Sequence, residues 1–111
     1  MTEKGWGRPW GALNAGFDPS ATLAKVKVPV LWFLGELDRN VPSEATAARL
    51  VTARKASANR DFTVVRMPSA GHSFLETKTG SGSEFSTLTH MAPGYWDKME
   101  AWLRERRFSR P

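Results

Sequence analysis

The chain has 111 residues, 41% hydrophobic and 24% charged, with a formal net charge of +5 and no cysteine. This is the length of one small domain and the composition of a folded chain rather than a disordered one. The absence of cysteine excludes disulfides, thiolate metal sites and a cysteine nucleophile.

No apolar run approaches the roughly 18 residues that span a bilayer. The first residues, Met1 to Trp10, lack the apolar stretch of a signal peptide, so the expectation is a cytoplasmic protein with no membrane partner. The positive charge raises the question of nucleic acid, and Arg104, Arg106, Arg107 and Arg110 crowd the C-terminus. They read as a solvated helix end, where cations complement the helix dipole. No helix-turn-helix, zinc-finger or RNA-recognition pattern accompanies them, so a nucleic-acid partner is not expected.

Residues 1–17 carry Gly5, Gly7, Gly11, Pro9, Trp6 and Trp10. Glycine and proline at that density oppose a helix, and the indoles need a surface to cover them. An irregular arm docking on its own domain or on a partner is expected there, followed by one segment over 18–111. Asp18-Pro19-Ser20 signals a turn or helix start, with one helical turn over Ala21 to Lys25. The run Val28 to Leu34, closed by Gly35, is too short for a typical helix and rich in β-branched and aromatic residues. It predicts a strand buried on both faces, as in a parallel sheet. Pro29 sits near its start, where a missing N–H is tolerated.

Glu36 to Val41 reads as a loop. Pro42-Ser43-Glu44 opens a helix, with Ser43 as its cap and Ala47, Leu50 and Val51 on one face, fading by Ser57 to Arg60. Asp61 to Met67 predicts a second strand stopped by Pro68. Glu76 to Thr89, rich in Gly, Ser and Thr, reads as a long flexible loop. Pro93-Gly94 starts a last helix whose Tyr95, Trp96, Met99, Trp102 and Leu103 form a core-facing apolar stripe. Strand, helix, strand, helix implies an α/β fold: a short parallel sheet with flanking helices and a C-terminal amphipathic helix.

In open parallel sheets ligands bind beyond the carboxyl ends of the strands. Gly35-Glu36-Leu37-Asp38 follows the first strand and Ala70-Gly71-His72-Ser73 the second. Asp38 and His72 therefore fall on one edge, where a carboxylate can hold an imidazole in one tautomer. Asp38, His72 and His90 lack the helix-borne His/Glu pair of a metal centre, and no phosphate-cradling glycine loop is present. No metal or other cofactor is expected.

The run Leu23 to Leu31, the Gly35-Glu36-Leu37-Asp38 loop with Val41-Pro42 after it, Pro68-Ser69-Ala70-Gly71-His72 and the final helix resemble the C-terminal portion of the α/β-hydrolase family. The likeness covers about Asp18 to Arg107 and is closest to the dienelactone-hydrolase and prolyl-oligopeptidase-like branches. It implies that Asp38 orients the histidine and that His72 acts as general base in cleaving esters, lactones or amides. The family's nucleophile elbow, G-x-S-x-G ahead of the acid, has no counterpart in this sequence. Ser20 lies in Asp-Pro-Ser-Ala-Thr, Ser73 lacks the second glycine and follows the acid, and Gly80-Ser81-Gly82-Ser83 reads as loop. By that comparison the first half of a hydrolase is missing. The expectation is a hydrolase-like remnant that is not catalytic alone and self-associates, or docks a partner chain, at the sheet edge left open. Two alternatives are a small serine hydrolase using Ser73 or a serine from another chain, and a binding module holding a small ligand or a protein between the two loops.

Overall fold

The computed structural model describes residues 19–107, so the Trp6/Trp10 arm and the boundary drawn at residue 17 lie outside the described residues. In chain order the elements are α1 (Ser20–Leu23), β1 (Val30–Gly35), α2 (Ser43–Ala56), β2 (Phe62–Met67), a 3₁₀ helix (Gly82–Thr87) and α3 (Tyr95–Glu105).

The strands form as their apolar runs dictate and pair in parallel, Val30 opposite Phe62 through Gly35 opposite Met67. β1 begins at Val30, two residues later than expected. Pro29 has no N–H to donate, and the first bond across the pair comes from Val30 N–H to the Asp61 carbonyl at 2.9 Å. The turn before β2 is tied to the start of β1 by Asn59, whose side-chain amide donates to the Val28 carbonyl at 2.7 Å.

Because strand side chains alternate between faces, the sheet has two separate apolar layers. On one face Leu34 and Phe62 meet Leu50 of α2, with Leu23, Val30, Trp32, Ala47 and Val64 packed around them. On the other, Met67 joins Ala70 and Ala92, with Phe33, Val65, Phe74 and Tyr95 against them. Each face of the strand pair thus carries a packed layer, but the burial expected along the whole first strand is reached only at Leu34 and Gly35, and Val30 to Phe33 are half-buried.

Three local expectations change. Ser43 does not cap α2. Pro42 holds that position with no side-chain cap bond, and its carbonyl accepts from Thr46 N–H at 3.0 Å. Val51 is 47% exposed, and the buried face of α2 is Leu50 with Ala53. No residue of α3 is fully buried, and Trp96, counted in its core stripe, is 62% exposed. Its ring stands edge-on to Tyr95, with centroids 4.9 Å apart. The strand pair is too narrow to cover the whole apolar side of an eleven-residue helix.

The C-terminal arginines also divide. Arg104 pairs with Glu100 one turn back. Arg106 is not a solvated helix end. Its side chain is 18% exposed and makes a two-pronged ion pair with Asp61 at the start of β2. Its guanidinium also lies 4.1 Å from the centre of the Trp102 ring. The pairing holds Asp61 below its ordinary carboxylate range and raises Arg106. Arg110 lies outside the described residues.

Candidate active site

The site is built where the two strands end. Beyond Gly35 and Met67 the backbones remain laced: Glu36 N–H donates to the Met67 carbonyl at 3.0 Å and Leu37 N–H to the Ala70 carbonyl at 2.9 Å. Gly35 allows this closeness, since a Cβ there would stand 2.5 Å from the Gly71 carbonyl oxygen and 2.6 Å from that of Ala70. Glycine is required here by approach rather than by torsion.

Asp38 closes a turn on itself. Its Oδ1 accepts the backbone N–H groups of Asn40 at 2.8 Å and Val41 at 2.9 Å, the local bonding that makes aspartate a turn residue. Oδ2 is thereby aimed at His72 Nδ1, 3.0 Å away. Burial, the largest influence, would raise the Asp38 carboxyl. The bonds from His72, Val41 and Asn40 outweigh it and leave the group below its ordinary value of 3.8. A carboxylate only accepts, so Nδ1 carries the proton in the neutral ring and Nε2 presents a lone pair. Nε2 has no hydrogen-bond partner among the described residues.

His72 is held by the turn that follows β2. Phe74 takes a left-handed conformation, φ 63°, costly for a residue with a bulky side chain. Two aromatic contacts offset it: Phe74 stacks on Tyr95 at 5.5 Å and meets Phe33 edge-on at 6.2 Å, and Phe33 and Tyr95 in turn lie 5.1 Å apart. The Asp38 side chain is 9% exposed and that of His72 is 58% exposed. The pair is buried at its acid end and open at its base end.

His72 opens on a cleft of about 360 Å³, whose lining includes Arg39, Ser73, Gly80, Phe85 and Leu88. Ser73 is exposed and makes no hydrogen bond with His72 among the described residues. His90 stands apart from the pair, its Nδ1 2.7 Å from Thr89 Oγ1.

The far wall of the cleft is the segment expected to be a flexible loop. It is instead a hydrogen-bonded turn that runs into the 3₁₀ helix. The Glu84 carboxylate receives Lys78 N–H at 2.7 Å, Thr79 N–H at 3.1 Å and Thr79 Oγ1–H at 2.5 Å. Gly80 N–H donates to Thr77 Oγ1. Arg39, next to Asp38, donates from Nε to the Thr79 carbonyl at 3.0 Å. Gly80, at φ 72°, lies so close to the Leu37 carbonyl that a Cβ would overlap it. Arg39, Glu84 and Phe85 escape sequence reasoning because their bonds follow no period; the one visible signal is the glycine-serine cluster beside Glu84.

The bond from Lys78 N–H, foremost among its partners, brings the Glu84 carboxyl down from 4.5 to about 2. A depressed acid stabilises the folded state above its unfolded value and loses that contribution as pH falls through its folded one. Slow amide exchange at Lys78 and Thr79 is therefore expected at pH 5 and above, and its loss between about 4.5 and 2. Glu84→Ala is expected to remove that protection at every pH. Protected amides in the variant would contradict the assignment.

Among the described residues no helix is long and apolar enough to cross a membrane. No curated protein and no solved structure matches the chain. The sequence profile of the family described as the dienelactone hydrolase family matches residues 14–106, which takes in both strands, both site loops and α3. The chain therefore belongs to the dienelactone hydrolase family, within the α/β-hydrolases.

Proposed function

We propose that this chain supplies the acid and the general base of an ester- or lactone-cleaving site, Asp38 and His72, and that the nucleophile comes from outside these 111 residues. The observation that carries this reading is the 3.0 Å bond from His72 Nδ1 to Asp38, with the other carboxylate oxygen held by two backbone amides. Such a carboxylate orients the imidazole and stabilises the imidazolium formed during reaction. His72 Nε2 takes the proton of the attacking hydroxyl as its oxygen bonds to the carbonyl carbon. It returns that proton to the leaving alkoxide as the carbon–oxygen bond breaks. With a serine delivered from another segment or chain, the product of the first step is an acyl-enzyme. With water alone, the same pair gives slow direct hydrolysis.

The test is p-nitrophenyl acetate hydrolysis at pH 8 beside intact-mass analysis after fluorophosphonate treatment. Slow turnover that falls to the buffer rate in His72→Ala, persists in Ser73→Ala and leaves no phosphonyl adduct is expected. Equal turnover in the native protein and His72→Ala would overturn the proposal. A single adduct on Ser73, lost in His72→Ala, would place the nucleophile in this chain and establish a small serine hydrolase instead.

Delivery of a nucleophile needs a surface to receive it, and the outer edge of β1 is our choice, taken either by a second copy of this chain or by a partner chain. Among the described residues β1 pairs only with β2, and Val28, just before it, is 66% exposed. An unpaired edge with an apolar flank is a template for another strand. Sedimentation at micromolar concentration should show an assembly larger than the monomer, or a monomer that shifts on adding the partner. A compact monomer that neither self-associates nor binds would contradict this.

A further inference from the structure

The cleft beside His72 has an apolar wall that the acid–base pair does not use. Phe85, on the 3₁₀ helix, is 56% exposed, and Leu88 follows that helix directly; both line the cleft together with His72 and Ser73. An exposed aromatic side chain that lines a cleft beside convergent polar groups is a contact open to a ligand. The helix that carries Phe85 is not free to swing. Glu84, one residue earlier, is fastened by the three bonds from Lys78 and Thr79. Arg39 ties the same turn to the acid loop. Phe85 is thus held at a fixed place relative to His72 by the loop that also carries Asp38.

We infer that Phe85 and Leu88 form the specificity wall of the site, which takes a small carbonyl compound bearing a flat aromatic group. The cleft of about 360 Å³ lies within the common range for small-molecule sites, roughly 300–1,000 Å³, and suits one ring with a short ester or lactone arm. Offset or edge-on contact with the Phe85 ring orients the aromatic body, and the carbonyl then lies toward His72 Nε2. Arg39 is the one cationic side chain among the described residues lining the cleft, and its Nε is engaged by the Thr79 carbonyl.

This inference rests on the proposed acid–base reading for its meaning, but its test does not depend on turnover. The probe is N-benzylacetamide, a neutral amide that resists hydrolysis, titrated into the ¹⁵N-labelled protein. N-methylacetamide serves as the ringless control. Amide shifts at Gly71, His72, Gly80, Ser81 and Gly82 are expected with the benzyl compound and not with the control. Phe85→Ala should weaken binding by about fivefold, the scale of one aromatic contact, and should fold because the side chain is surface-borne. Shifts elsewhere, no shifts, or equal affinity in Phe85→Ala would overturn the inference. Intact binding with turnover indifferent to His72→Ala would leave the wall standing and sink the catalytic reading alone.

Discussion

Gly35→Ala is expected to destabilise the protein by about 3 kcal/mol, at the upper end of the ordinary cost of overpacking. The new methyl would meet two backbone carbonyl oxygens, those of Gly71 at 2.5 Å and Ala70 at 2.6 Å. Backbone cannot rotate aside as a flexible side chain can, so the loops after β1 and β2 must part. Parting them stretches the bonds from Glu36 to Met67 and from Leu37 to Ala70, and with them the approach of Asp38 to His72. The variant is therefore expected to lose stability and the acid–histidine bond together. Gly82→Ala is the control: a Cβ there meets nothing within 4 Å, and its effect should stay within about 0.5 kcal/mol. Urea unfolding of the two variants checks the pair. Equal midpoints would show that the close approach at Gly35 is not a constraint.

What could be read from the sequence follows from where the physical signal is local. β1 and β2 were legible because a short, continuous apolar run with β-branched residues has few other uses. α2 was legible from Pro42 and Glu44, although its capping residue was not. Asp38 and His72 were legible as a pair because each lies just beyond a strand end, and parallel strands bring those ends together. Helix faces were read less well. Val51 and Trp96 sit at core-like spacing, yet spacing reports a helix's own periodicity and not the width of what it packs on. The segment over Glu76 to Thr89 was read as flexible because its composition is that of a loop. Its order comes from one carboxylate, Glu84, reaching back five and six residues to backbone amides, and no residue pattern encodes that reach. The partnership of Arg106 with Asp61, 45 positions apart, is illegible for the same reason.

Asp38→Asn is the substitution with the largest expected effect on chemistry. An amide of the same shape keeps the turn to Asn40 and Val41 if its oxygen faces those amides, and then its NH₂ faces His72. A donor opposite Nδ1 favours the other tautomer, with the proton on Nε2 and the lone pair turned away from the cleft. The general base is lost while the fold remains. His72-dependent ester cleavage is expected to fall by about 100-fold, the low end of what a positioned base supplies, or to the buffer rate if that is reached first. Thermal midpoints should change far less than in Gly35→Ala.

The most direct measurement is the tautomer of His72, read from long-range ¹H–¹⁵N correlation spectra of the ring nitrogens at pH 8, in the native protein and in Asp38→Asn. A proton on Nδ1 and a bare Nε2 are expected in the native protein, reversed in the variant. A native ring protonated on Nε2, or the same tautomer in both proteins, would mean that Asp38 does not hold His72 as a base.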